Sequence, residues 1–168
     1  MAEQFYSRQA LGNIADLSVA SATAQYPVGT EVETIDNSTG KLRKYIYIKN
    51  SASSLAAKAT SVITLSGTNG AELVAGVPAT STVYILAGVS NITVAANYYF
   101  WLQTYGDTTV TTAGGTTAGN TGKLANGVAT ITDESGTAET AKTIGIIKTT
   151  LSGAGAASVF LIGKRITI

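Results

Sequence analysis

The chain has no cysteine, no histidine, one methionine and two prolines, and only 12% of its 168 residues are charged. Each shortage removes a class of protein. Without cysteine there is no disulfide framework and no thiolate nucleophile, and without histidine as well the usual zinc ligands are missing. A Ser-His-Asp triad cannot form, and no motif supports a Ser-Lys substitute. Ten carboxylates leave little room for the paired acids of a glycosidase. The net charge of +1 makes no broad field to draw in nucleic acid or an anionic membrane. No apolar run approaches the roughly 20 residues of a membrane helix. Residues 1–15 carry Glu3, Gln4, Arg8 and Gln9 and no apolar stretch, so nothing there resembles a signal peptide. The expectation is a soluble product of a cytoplasm, not an enzyme, with no cofactor, no metal, no nucleic acid and no membrane among its partners.

Polarity comes from Thr, Ser, Asn and Gly instead of charge, as in Thr108-Thr-Val-Thr-Thr-Ala-Gly-Gly-Thr-Thr-Ala-Gly-Asn-Thr-Gly122. Threonine packs well on a pleated surface, and glycine suits tight turns. Residues 1–25 show no clear period and read as an extended N-terminal arm; residues 26–168 read as one β-rich domain. Val28–Ile35 and Leu42–Lys49 flank a turn-rich segment and predict a hairpin. In its second strand Leu42, Ile46 and Ile48 share a face with Lys44, while Tyr45 and Tyr47 share the other with Arg43 and Lys49. Ser53–Lys58 could form a helical turn. Short β-prone runs follow at Val62–Leu65, Glu72–Val77, Thr82–Leu86 and Ile92–Ala96, separated by turn signals that include Gly88-Val-Ser-Asn91. An aromatic strand ends at Gly106-Asp107. Residues 111–127 read as a long loop with a short strand, and strands return at Val128–Thr132, Thr143–Thr149 and Val159–Ile168. Turn signals about every ten residues suggest an all-β sandwich or barrel-like domain. No repeat of 20–50 residues is evident.

Two acidic pairs, Glu31/Glu33 and Asp133-Glu134, could line a weak calcium site, though surface carboxylates are the commoner outcome. Gly67-Thr-Asn-Gly70 and Gly114-Gly115 lack the Lys-Ser/Thr of a phosphate loop and read as turns.

Five of the twelve aromatics lie in Asn97-Tyr-Tyr-Phe-Trp-Leu-Gln-Thr-Tyr-Gly106. Alternation puts Tyr98, Phe100 and Leu102 on one face and Tyr99, Trp101, Gln103 and Tyr105 on the other. Both faces need cover, from a second layer or from another subunit. The Tyr98/Phe100/Leu102 face is expected to be core. The Tyr99, Trp101, Gln103 and Tyr105 face carries the amphipathic mix found where proteins meet and is expected to be contact surface. Phe5, Tyr6 and Arg8 in the arm join it as candidate interface residues, suited to folding on a partner.

Five segments in order carry a family resemblance: Gln25-Tyr-Pro-Val-Gly-Thr-Glu31, Tyr45-Ile-Tyr-Ile-Lys-Asn50, Glu72-Leu-Val-Ala-Gly76, Ala96-Asn-Tyr-Tyr-Phe-Trp-Leu-Gln-Thr-Tyr-Gly106 and Thr143-Ile-Gly-Ile-Ile147. Together they span residues 25 to about 150, and in them the chain resembles the capsid decoration (cement, or head auxiliary) proteins of tailed bacteriophages. The Gly/Thr-rich insertion after Gly106 is longer than that pattern. The resemblance implies a β-rich virion protein on the outer surface of the expanded capsid, made in the host bacterial cytoplasm. It implies a homo-oligomer, with a trimer favoured, that bridges major capsid protein subunits and has no catalytic residues. The alternative is a glycan-binding or adhesive head-fibre module, in which exposed Tyr and Trp would stack on sugar rings.

Overall fold

The computed structural model describes residues 16–36, 39–51, 53–66, 72–76, 85–135 and 142–163. Ten strands and no helix run through them: β1 (Glu31–Ile35), β2 (Leu42–Asn50), β3 (Thr60–Ser66), β4 (Glu72–Gly76), β5 (Leu86–Ser90), β6 (Tyr99–Thr112), β7 (Thr121–Leu124), β8 (Ile131–Asp133), β9 (Thr143–Ile147) and β10 (Gly155–Ile162). The fold is all-β, and of the two expected forms it is the barrel.

The ladder closes on itself. β2, β4, β3, β5 and β6 form a five-stranded ring, because β6 pairs back onto β2. The interior alternation of these strands supplies its filling, Ile46, Ile48, Ile63, Leu86, Phe100 and Leu102, with Leu55 and Val94 from two flanking turns. β6 is 14 residues long, and its second half opens a further circuit through β10, β9, β7 and β8. That circuit returns to β6 by one parallel pair, Thr112↔Ile131. Val110, Leu124, Ile131, Ile147, Ala157, Val159 and Leu161 fill it, against Val62 and Val89 from the outside of the first ring. β1 lies outside both circuits, antiparallel to β2 in the expected hairpin, with Ile35↔Leu42 nearest the turn.

Four strands are entered by the same short device. In Tyr26-Pro-Val-Gly29-Thr30, Leu55-Ala-Ala-Lys58-Ala59, Val94-Ala-Ala-Asn97-Tyr98 and Thr116-Thr-Ala-Gly119-Asn120, the fourth residue has positive φ: 91°, 64°, 65° and 96°. The fifth residue donates its N–H to the carbonyl three back: Thr30 to Pro27, Ala59 to Ala56, Tyr98 to Ala95 and Asn120 to Thr117, at 3.1–3.3 Å. These are type II turns. In each, the positive-φ residue then donates across to a neighbouring strand: Gly29 to Tyr47, Lys58 to Ser90, Asn97 to Ser51 and Gly119 to Ile147. Tyr47, Ser90 and Ile147 return their own N–H to the residue after it, so two residues oppose one, as in a glycine bulge. Glycine holds this place twice, asparagine once and lysine once. Lys58 is exposed, and Lys58→Gly is expected to stabilise the fold by about 0.5–1 kcal/mol. Relief of left-handed strain, about 1–2 kcal/mol, exceeds the entropy glycine adds to the unfolded chain, about 0.4–1 kcal/mol. Chemical denaturation measures it; an equal or lower midpoint would remove strain from Lys58.

Several boundaries differ from the sequence reading. Ser53–Lys58 is one of the turns, not helix. β5 begins at Leu86, where the expected strand ended, and Gly88 lies within it. A Cβ at Gly88 would sit 2.5 Å from the Gln103 carbonyl oxygen and 2.8 Å from Leu102 Cγ, so close packing, not a turn, requires that glycine. Ile92–Ala96 contributes only the bridge Leu55↔Val94. β6 runs five residues past Asp107, and β10 starts four before Val159.

Candidate interaction surface

The aromatic strand meets its match in β2. Tyr47 lies opposite Trp101 and Lys49 opposite Tyr99, so alternation brings the aromatic faces of two strands together. Trp101 and Tyr47 ring centroids are 5.0 Å apart, and Tyr47 stacks on Tyr99 at 6.1 Å. Tyr26 covers the pair, 5.3 Å from Tyr47 and 5.4 Å from Trp101. It arrives on residues 16–30, which cross this face and pair with β6 through Ser21 and Tyr99, N–H to carbonyl in both directions. Leu17 and Val32 complete the layer. The Gln25 N–H donates to the Tyr47 hydroxyl at 3.0 Å. Burial pushes the Tyr47 phenol above its ordinary range despite that bond.

The contact face proposed from sequence is therefore largely internal. Trp101 is 3% exposed and Gln103 1%; neither side chain reaches solvent, because the second layer that the alternation called for is supplied by this chain. The opposite face is core at Phe100 and Leu102, both 0% exposed, but Tyr98 is 37% exposed because it closes a turn ahead of β6. Tyr99 is half-buried, with Lys49 Nζ 5.9 Å from its ring centroid. Phe5, Tyr6 and Arg8 lie outside the described residues. So do residues 1–15 of the arm in general; residues 16–25 fold back on the slab.

Tyr105 belongs to another face. The register steps from Tyr45↔Gln103 to Lys44↔Tyr105, so Thr104 has no residue opposite it. Residues opposite each other on an antiparallel ladder project to the same side, and this bulge moves Tyr105 away from Tyr99 and Trp101 to the side of Lys44. The Lys44 ammonium lies 5.8 Å from the Tyr105 ring, and Phe160 meets that ring edge-on at 5.2 Å. The Gln103 amide braces the bulge: Nε2 donates to the Tyr105 and Asp107 carbonyls at 3.1 and 2.9 Å, and Oε1 accepts from Asn91 at 2.9 Å. Tyr105, Phe160 and Ile162, with the exposed Ile35, Leu42 and Ile146, make an outer sheet face across β1, β2, β6, β10 and β9. Alternation in β10 is enough to put Phe160 and Ile162 on one face, whereas the bulge that joins Tyr105 to them has no sequence signature.

Three lysines on this face are ion-paired to two carboxylates. Asp107 accepts from Lys41 at 2.6 Å and Lys148 at 2.7 Å, and Lys44 pairs with Glu33 at 2.6 Å. Hydrogen bonds from Lys148 and then Lys41 hold the Asp107 carboxyl below its ordinary 3.8. A carboxyl depressed in the folded state adds stability above its unfolded pKa and loses it as pH falls through the folded value. Asp107→Asn is therefore expected to cost up to about 1 kcal/mol at neutral pH. The cost should start to fade as pH drops through about 3.8 and vanish only below the lowered folded value, in thermal melts run across that range; a difference that persists in still stronger acid would separate it from this carboxylate.

The acidic pairs weighed as calcium ligands are otherwise engaged. Glu33 holds Lys44. Asp133 accepts from the Thr117 N–H at 2.6 Å, the Ser135 N–H at 2.7 Å and the Asn120 amide at 2.8 Å. Burial raises its pKa, and these bonds outweigh that and hold it below 3.8. Glu134 accepts from the Thr143 hydroxyl. No cluster of three metal-ligating residues occurs among the described residues.

No family model and no curated protein matches the chain. Among solved structures it is similar to the N base of the head fibre gp8.5 of bacteriophage phi29. The identity is 10% and the TM-score 0.49, over 74% of this chain and 98% of that one. A likeness so distant carries no function across.

Proposed function

We propose that the protein is a structural component of a phage virion that binds the outer surface of the expanded capsid and stabilises it by bridging major capsid subunits. The observation that carries this reading is where the five resembling segments fall. Gln25–Glu31 is the turn into β1, Tyr45–Asn50 lies in β2, Glu72–Gly76 is β4, Ala96–Gly106 is a turn and the first half of β6, and Thr143–Ile147 is β9. Three of these elements, β1, β4 and β6, border a fourth, β2, so the resemblance follows a packed unit and not scattered composition. The charge-poor, thiol-free sequence agrees with a non-catalytic shell protein.

Of the candidate contact residues, Tyr99 and Tyr105 retain accessible surface, and Phe5, Tyr6 and Arg8 remain candidates in the arm. Trp101, buried under Tyr26, is removed as a stacking platform for sugars, which weakens the adhesive alternative. A ligand that binds the assembled lattice and not free subunits stabilises the lattice by mass action. The test is co-sedimentation with expanded and unexpanded capsids, followed by heating. Selective binding to expanded capsids with raised heat resistance is expected; binding to neither would end the proposal. Sedimentation velocity of the free protein tests the favoured trimer.

A further inference from the structure

Independently of that reading, we propose that Asn126 is a self-modification site, which converts to aspartate and isoaspartate through a cyclic imide. Asn126 and Gly127 occupy an exposed turn between β7 and β8, closed by the Ala125 N–H on the Thr130 carbonyl at 3.1 Å. Three features of that turn favour the reaction.

The first is the nucleophile. The Gly127 backbone nitrogen must attack the Asn126 side-chain carbon, and a Cβ on the following residue would crowd that approach. Gly127 has none, has φ +70°, and has no heavy atom within 4 Å of where a Cβ would stand. The second is the electrophile. The Lys142 ammonium donates to Asn126 Oδ1 at 2.7 Å. An ammonium has donors only, so it must face the amide oxygen. Attack on the carbon develops negative charge on that oxygen, and a cation already in contact stabilises it as an oxyanion hole does. The third is the product. Ring closure joins Gly127 N to Asn126 Cγ, the amide nitrogen leaves as ammonia with the Gly127 proton, and one water opens the imide. Opening at one carbonyl yields aspartate, and at the other isoaspartate. Either way a carboxylate replaces a neutral amide beside Lys142.

Each event lowers the net charge from +1 to zero, which isoelectric focusing resolves and which reduces colloidal stability. The experiment holds the purified full chain in mildly alkaline buffer at physiological temperature and follows each Asn-containing peptide by mass spectrometry, with isoaspartyl methyltransferase labelling. Conversion at Asn126, with Asn50 and Asn97 unchanged, is expected. Gly127→Ala should slow it roughly tenfold, about 1.4 kcal/mol in barrier. Lys142→Met should slow Asn126 severalfold while Lys142→Arg keeps the rate, with circular dichroism confirming that each variant is folded. An Asn126 that stays amide as long as Asn50 does would overturn the site. Equal rates for the Met and Arg variants would overturn the part assigned to Lys142.

Discussion

Trp101→Ala is expected to lower the unfolding free energy by about 3–5 kcal/mol, the range for removing a large buried aromatic. Domains of this size hold about 5–15 kcal/mol in total, so the variant should melt far below the parent and sit near the edge of folding. The loss has two parts. The indole is covered by Tyr26 and Tyr47, so its removal leaves a cavity between two layers instead of a dent in the surface. It also releases residues 16–30, whose ring anchor is Tyr26. On a contact face, as alternation alone places Trp101, this substitution would weaken association more than folding. Burial by the chain's own segment reverses that order: the proposed capsid binding should fall only in proportion to the folded fraction. Denaturant unfolding of Trp101→Phe and Trp101→Ala, beside capsid pelleting, measures both. A fully stable Trp101→Ala that no longer pelleted would return the indole to the contact surface.

Gly106→Ala should be the other severe substitution, at about 3 kcal/mol or more. Gly106 has φ +90°, where an L-residue costs about 1–2 kcal/mol before any contact is counted. An added Cβ would collide with the Leu42 carbonyl oxygen, and Arg43 Cα stands 3.3 Å away. Those atoms belong to β2 backbone and cannot rotate aside. The collision falls beside the bulge that Gln103 braces, so relief would have to come from the β2–β6 register. Gly119→Ala is the control, since it has a similar φ of 96° and nothing near its Cβ position. It should cost only the backbone part. Equal losses for the two would show that conformation, not the approach of β2, governs Gly106.

The strands were legible where pattern is local. Tyr45-Ile-Tyr-Ile and Phe100-Trp-Leu alternate cleanly, and their faces divide as period two requires. Four things were not legible, each for a physical reason. Thr104 differs in no way from its neighbours as a β-former, yet one extra residue there moves Tyr105 to the other face. Gly88 reads as a turn because a missing side chain signals either a bend or a close approach, and only the neighbouring Leu102 decides between them. Residues 16–25 lack periodicity because they form one layer of cover, held by Leu17 and the adjoining Tyr26, not a strand with two faces. No single residue type fills the positive-φ place of all four turns, so lysine and asparagine hid the likeness to Gly29 and Gly119.

The 14-residue β6 belongs to both closed circuits, and this has a mechanical consequence. Two domains joined by a linker can part by breaking weak contacts between them. Here tension applied to one ring passes to the other along a continuous covalent backbone, with no seam to open first. Yielding then requires unzipping ladders on both flanks of a single strand together. The amides of β6 should accordingly exchange with solvent only when the whole molecule opens.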